Sequence, residues 1–303
     1  MKIALATCMK LPEADTDEAL LVAALESRGA TVRLLPWDDT TESAHPDELI
    51  VIRSTWNYYT NVDAFLEWVD RAAGVTRILN PSSVIRSNVR KTYLRELERR
   101  GIDVVPTEFI ARDEVRRIEE IVTTRGWETV VIKPVVSASS FKTQRFESAR
   151  LDEAQRFLDD LSRERDVMVQ RWMPAIDGYG ERSLVWIDGE LTHAIRKSPR
   201  FFGGVEVVSE EVPIADAERA FAENVLAPLA KDLLYARVDV VPDDSDSPAG
   251  DDAGQPLRIM ELELIEPSLF LKQSSRALDR LATAILREAS DGTQVSERGV
   301  MPR

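Results

Sequence analysis

The chain has 303 residues and a formal charge of −14, from 53 acidic and 39 basic side chains. That length allows two or three compact units with a core that needs no covalent staples, and the acidic field excludes nucleic acid and anionic membrane surfaces as partners. The single cysteine, Cys8, excludes an internal disulfide framework and a cysteine-rich metal site. With no apolar run near the ~20 residues of a membrane span and no secretory leader, the expectation is a soluble globular protein of the reducing cytoplasm.

Taken in order, residues 2–7 read as a buried strand and Thr16 to Arg28 as a helix that stops at Gly29. Thr31 to Leu35 and Leu49 to Ile52 read as strands, Asn61 opens a helix that ends at Gly74, and Arg77 to Leu79 is a further strand. This succession predicts a small open α/β sheet. Ligands on such sheets sit at the carboxyl ends of strands, where Arg53-Ser54-Thr55-Trp56-Asn57-Tyr58-Tyr59 follows Ile52. Those aromatics suit a pocket as well as they suit core packing.

After Asn80-Pro81 the pattern becomes α+β. A helix is expected from Asn88 to Arg100 carrying Lys91, a strand at Val104 to Val105, a helix around Val115 to Thr124 and a strand Thr129 to Ile132. A helix near Asp152 to Leu161 and a strand Asp166 to Gln170 follow. Beyond Trp172, strands Ser183 to Ile187 and Glu190 to Ile195 flank Asp188-Gly189, a hairpin signal. The helix Ala217 to Lys231 contains Pro228, which predicts a kink or an early stop. Strands Tyr235 to Val241 and Leu257 to Ile265 and a helix Ser275 to Arg287 close the chain. Between those strands, Pro242 to Pro256 carries Asp243, Asp244, Asp246, Asp251 and Asp252 without a calcium-loop register, so it reads as a solvated, disordered hairpin tip. The tail after about Ser290 is expected to be mobile.

Chemistry concentrates in the last two strands. Alternation puts Glu261 and Glu263 on one face, about 7 Å apart, with Met260, Leu262 and Leu264 on the other. An isolated Glu-x-Glu is ordinarily a wetted face, but Arg237 and Asp239 share a face of the neighbouring strand. If the strands pair, three carboxylates and a guanidinium converge, and an all-oxygen set of that size suits Mg2+ with phosphate oxygens completing its shell. Lys133 ends an apolar strand before Ser137-Ala138-Ser139-Ser140, a point charge beside small residues that let backbone amides approach phosphate. By itself such a lysine is an ordinary solvated strand end. No P-loop, Gly-x-Gly-x-x-Gly or Gly-x-Ser-x-Gly occurs. His45, His193 and Cys8 read as surface, structural and packed residues respectively.

In order, Lys91, Ile132-Lys133-Pro134, Gln170 to Ile176, Gly180-Glu181, Asp188-Gly189-Glu190, Arg237-Val238-Asp239 and Glu261-Leu262-Glu263 resemble the ATP-grasp ligases over roughly residues 80–290. Gln170 to Ile176 with the Asp188 turn is similar to the glutathione synthetases. The resemblance implies an α/β ATP-grasp fold: an N-terminal open α/β domain (1–82), a small lobe (83–171) and a large C-terminal lobe (172–303) clasping ATP. It implies that Lys91, Lys133 and Ser139 meet phosphates and that backbone groups of Gln170, Arg171, Trp172 and Met173 meet adenine. Glu181 would hold ribose, and Asp239, Glu261 and Glu263 two Mg2+ ions, with Mn2+ as a substitute. Lys197 and Arg237 would act at the γ-phosphate. Two departures stand out: Glu263 replaces the family's usual Asn, and the phosphate loop lacks its usual glycines.

Arg53 to Tyr58, Lys197 and Leu262 to Leu269 resemble a smaller branch containing the D-cycloserine synthetases, antibiotic-biosynthesis enzymes that cyclise O-ureido-D-serine. On that likeness Arg53 would pair with the substrate carboxylate, while Ser54, Trp56, Tyr58, Glu266 and Ser268 frame a small amino-acid pocket. Two alternatives stay open: an intermolecular peptide- or glutathione-type ligase, and a non-catalytic ATP-binding protein of the same fold. A homo-oligomer, dimer or tetramer, is expected on symmetry grounds.

Overall fold

The computed structural model describes residues 1–138, 140–178, 180–198, 207–243 and 256–298. The first sheet is formed by β1 (Lys2–Thr7), β2 (Thr31–Pro36), β3 (Glu48–Ile52) and β4 (Ile78–Leu79), all parallel in the order β2-β1-β3-β4. Helices α1 (Glu18–Glu26) and α2 (Val62–Val75) make its crossovers. The Asn61 side chain caps α2 by accepting from the Ala64 amide. Every residue of β3 is buried, as expected of a parallel strand covered on both faces.

Two short helices follow: α3 (Ser82–Asn88), which was not expected, and α4 (Tyr93–Arg99), which takes up only the second half of the helix expected from Asn88 to Arg100. The break has a cause. The Asn88 amide bridges the Leu262 carbonyl and the Leu264 amide, and the Lys91 backbone amide donates to the Val135 carbonyl, so the chain leaves helical geometry between them. Lys91 therefore lies in a connection and not on a helix.

The second sheet is antiparallel: β5 (Thr107–Ile110), β6 (Thr129–Pro134), β7 (Gln144–Glu147) and β8 (Val167–Arg171), ordered β5-β8-β6-β7, with α5 (Ile118–Arg125) and α6 (Leu151–Glu164) packed on one face. β5 and β7 are additions to the expectation. The strand expected at Val104 to Val105 is a single bridge to Ile259.

The third sheet, after the single-turn α7 (Ala175–Gly178), contains β9 (Glu181–Ile187) and β10 (Glu190–Lys197). They are joined by Asp188 and Gly189, both at positive φ as a primed hairpin turn requires. Helix α8 (Asp216–Leu226) stops ahead of Pro228. Antiparallel β11 (Tyr235–Pro242) and β12 (Leu257–Glu263) complete the order β10-β9-β11-β12. Residues 244–255, which hold most of the acidic tip, lie outside the described residues, and Arg258 holds Asp243 at 2.6 Å. Helix α9 (Ser275–Arg298) runs on past Ser290, through residues expected to form a mobile tail.

One apolar cluster joins Ile3, Leu5, Leu21 and Val51 of the first unit to Val185, Ile187, Leu281 and Ile285. Helix α9 thus sits between the first and third sheets. Asn80 fixes the same junction: it donates to the Tyr235 and Leu264 carbonyls at 2.9 and 2.8 Å and accepts from the Leu234 amide at 2.7 Å. Among the described residues no helix is long and apolar enough to cross a membrane.

Candidate active site

The three sheets face one cleft, and its phosphate-like end is built on β11 and β12. Their register sets Asp239 opposite Glu261 and Arg237 opposite Glu263, so the alternation expected from sequence places all four on one face. A bulge follows Asp239, and the extra residue, Met260, turns into the cleft instead of away from it. Lys133 enters from the end of β6, Lys91 from the α3–α4 connection, and Lys197 and Glu181 from the paired ends of β10 and β9.

These charges are already matched to one another. Lys91 Nζ lies 3.0 Å from Glu261 and donates to the Ser137 carbonyl at 2.8 Å. Lys197 Nζ sits 2.5 Å from Glu181 and 2.9 Å from Asp239. Arg237 clamps Asp239 through Nε and Nη2 at 2.9 and 2.8 Å and reaches Glu263 with the same fork. Lys133 makes no ion pair among the described residues, and burial lowers its ammonium below the ordinary lysine value.

The carboxyls diverge accordingly. Burial would raise Asp239, but Arg237 and Lys197 hold it far below the usual carboxylate range. At Glu261 burial is likewise outweighed, and Lys91 and Lys133 lower the carboxyl. Burial lifts Glu181 to about 7 against the pull of Lys197. It lifts Glu263 to about 7 as well, with repulsion from Glu261 and Asp239 offsetting Arg237.

Gly180 makes the Glu181–Lys197 contact possible. Its φ is +83°, and a Cβ there would meet the Lys197 carbonyl at 2.5 Å.

At the second end of the cleft stand Gln170, Arg171 and Trp172, with Val131, Ile176 and Met260 as apolar lining. The Arg171 and Trp172 backbone amides already donate to the Pro106 and Thr129 carbonyls, so this segment offers the cleft side chains more than amides. Met173, whose backbone was expected to meet adenine, packs its side chain into the core behind Trp172. Ser139 lies outside the described residues. The neighbouring Ser140 and Lys142 have φ of +57° and +48°, left-handed conformations in a loop without glycine.

The third end is walled by Trp56, Tyr58, Glu266, Ser268 and Phe270. Arg53 and Ser54 were expected here and are not. Ser54 is buried on the Thr7 hydroxyl, and Arg53, 2 % exposed, lies behind the wall and donates to the Pro267 carbonyl at 3.2 Å. The reason is visible along the loop. Four successive carbonyls, Ile265 to Ser268, are each held by a different side chain: Tyr235 Oη, Trp56 Nε1, Arg53 Nη2 and Arg237 Nη1 at 2.9, 2.9, 3.2 and 3.2 Å. Asp17 then accepts from the Leu269 and Leu271 amides. Strand β12 ends at Glu263, two residues short of the expectation, and beyond it side chains take over the backbone.

Sequence reasoning missed Asn88, Tyr93 and Glu13, which also line the cleft. Asn88 and Tyr93 flank Lys91, and the Tyr93 hydroxyl accepts from the Leu262 amide at 2.9 Å. Polar residues on both sides of a lysine within a supposed helix were the available signal.

The ATP-grasp ligase PsnB, in its complex with minimal precursor, Mg and ADP, matches with a TM-score of 0.61 at 16% identity, over 95% of this chain and 98% of that one. The fold is that of the ATP-grasp ligases. The crystal structure of D-cycloserine synthetase DcsG matches with a TM-score of 0.84 at 27% identity, over 95% of this chain and all of that one. The family of D-cycloserine synthetase DcsG N-terminal domains matches residues 3–80. The cycloserine biosynthesis protein DcsG of Streptomyces lavendulae is 30% identical over 287 residues, 89% of this chain and 93% of that protein. The chain belongs to the DcsG family of ATP-grasp ligases, enzymes that form carbon–nitrogen bonds.

Proposed function

We propose that this ATP-dependent ligase works in the cytoplasm on a small amino-acid-like carboxylate, and that it closes O-ureido-D-serine into D-cycloserine. The observation that carries the reading is the meeting, in one cleft, of Lys91, Lys133, Lys197 and Arg237 with Asp239, Glu261 and Glu263, beside a separate small end walled by Trp56, Tyr58 and Glu266. The likeness to DcsG, named for cycloserine, supports that product, and the resemblance carried by Arg53 to Tyr58 and Leu262 to Leu269 implies O-ureido-D-serine as the substrate. A division at residues 82 and 171 accords with it, since each resulting part holds one of the three sheets.

The carboxylates suit a hard divalent ion by their chemistry. Burial first, and repulsion from Glu261 and Asp239 after it, outweigh Arg237 and raise the Glu263 carboxyl, an environment that a cation would relieve. Among the described residues no three acidic groups converge on a point as they stand, because each is held by a lysine or arginine. Loading is therefore an exchange in which Lys91 and Lys197 turn to phosphate oxygens and the carboxylates to metal. Mg2+ at Asp239, Glu261 and Glu263, two ions by likeness to the superfamily, would neutralise the triphosphate and its leaving group.

The protein's own residues do the rest. Lys133, which makes no ion pair among the described residues, is free for a phosphate from the outset. Arg237 and Lys197 stand where charge develops as a substrate carboxylate oxygen attacks the γ-phosphorus and the bond to ADP breaks. The acylphosphate is then attacked at its carbonyl carbon by the oxygen-bound ureido nitrogen of the same molecule, phosphate leaves, and water removes the carbamoyl group from the ring nitrogen as carbon dioxide and ammonia. Intramolecular attack needs no second amine site and gains effective concentration.

The test is coupled ADP release with O-ureido-serine of both hands, followed by product mass. Release with the D form, a ring product no heavier than its precursor, and loss of release in Glu261→Gln with the fold intact are expected. A heavier adduct would instead establish intermolecular ligation, and turnover of the wild type without a divalent ion would refute the scheme.

A further inference from the structure

Four of the carboxylates lining the cleft have a cation within reach: Glu181 has Lys197, Asp239 has Lys197 and Arg237, Glu261 has Lys91 and Glu263 has Arg237. Glu266 differs. Among the described residues no lysine, arginine or histidine lies within 4 Å of it, and its side-chain neighbour is the Tyr58 hydroxyl. Burial and the nearby Glu263 raise its carboxyl to about 8, the condition of an acid waiting for a counter-charge.

Nor can Glu266 turn away to find one in solvent. The carbonyls on its own residue and on both neighbours are pinned by Trp56, Tyr235 and Arg53, so the backbone aims the side chain into the third end of the cleft. The walls there are aromatic. Trp56, Tyr58 and Phe270 line this end, and ring faces attract cations, as Phe270 already does the Arg237 guanidinium 5.6 Å from its centroid.

We propose that Glu266 is the seat of a substrate ammonium group, so that the ligase takes amino acids whose cationic nitrogen pairs with Glu266 while their carboxylate points to the phosphate end. This rests on the ligase reading above. Tyr58 acts as a positioning residue that steadies the Glu266 carboxyl. Arg53, expected to bind the substrate carboxylate, serves the same site from behind by holding the Pro267 carbonyl.

The test is ADP release by wild type and Glu266→Gln over a panel of paired carboxylates: O-ureido-serine with 3-ureidooxypropionate, serine with 3-hydroxypropionate, alanine with propionate. In every pair that turns over, the wild type should prefer the amino member by about 10- to 100-fold in kcat/KM, the range of one charge-assisted contact. Glu266→Gln should collapse that ratio toward one through KM for the carboxylate, with KM for ATP unmoved. Tyr58→Phe should reduce the ratio by a smaller factor. A wild type that accepts both members equally overturns the assignment, and so does a preference that survives in Glu266→Gln. Inactivity of O-ureido-serine alone, with other amino acids turned over and the ratio behaving as stated, refutes the cyclisation and upholds Glu266. A silent panel overturns both.

Discussion

Gly180 shows how little room the charged end of the cleft has. A methyl group added there meets the Lys197 carbonyl at 2.5 Å with the backbone at φ +83°, so Gly180→Ala combines a backbone clash with a left-handed penalty. We expect it to cost about 2–4 kcal/mol, read as a lowered urea midpoint. ATP binding measured by calorimetry should weaken with it, because the residue that must give way carries Lys197. A Gly180→Ala protein with an unchanged midpoint would show that the Glu181–Lys197 contact tolerates more slack than the geometry indicates. Lys133 is the complementary case. On the proposed reading Lys91 and Lys197 surrender a carboxylate before meeting phosphate, while Lys133, which makes no ion pair among the described residues, gives up only its longer-range pull on Glu261.

At the scale of elements, the β6–β7 loop reaches across the cleft mouth. Phe141 at its tip packs on Tyr59 of the first unit with ring centroids 4.5 Å apart, and Tyr59 adjoins Tyr58 of the substrate end. On the mechanism proposed above, closing water out matters, because an acylphosphate hydrolyses when wet. Phe141→Ala should raise the ratio of ADP released to product formed by several-fold, measured by parallel assays, with smaller effects on melting temperature. A ratio that stays put would assign the ring contact to packing alone.

Elements also show what sequence can and cannot convey. The chemistry of β11 and β12 was legible because a period of two puts Arg237, Asp239, Glu261 and Glu263 on one face without any tertiary knowledge. The bulge that turned Met260 inward was not, since a bulge is chosen by the partner strand. Strands β5 and β7 escaped because four residues as mixed as Thr107-Glu108-Phe109-Ile110 or Gln144-Arg145-Phe146-Glu147 become strands only where β8 and β6 lie alongside. The interruption at Lys91 is likewise imposed from outside, by Val135 and by the strand that Asn88 grips. Arg53 misled for a simpler reason: a charge at the carboxyl end of a strand looks the same whether it faces a ligand or a row of carbonyls.

Across the whole molecule, the cleft carboxyls set the pH response. Glu181 and Glu263 hold protons up to about 7 and Glu266 up to about 8, above their unfolded values, so the stability they contribute is full below about pH 4 and is lost as pH rises through 7 to 8. Asp239 and Glu261 run the other way, contributing above the ordinary carboxylate range and losing that contribution on acidification. The ligand-free protein should melt highest at about pH 5–6 and lower at pH 8.5. Mg2+ with ATP should raise the melting temperature more at the higher pH, where no proton has to leave Glu263. Equal increments at both values would mean that the metal does not use that carboxylate.

The internal pairing of Lys91, Lys197 and Arg237 has a consequence for how the nucleotide arrives. Seen from afar, such a cleft casts almost no attractive field, while the surrounding chain carries its full −14. An incoming polyanion is therefore repelled over distance and welcomed only on contact, the reverse of an electrostatically guided encounter. Added electrolyte screens that repulsion first, so the association rate should climb with ionic strength before it falls.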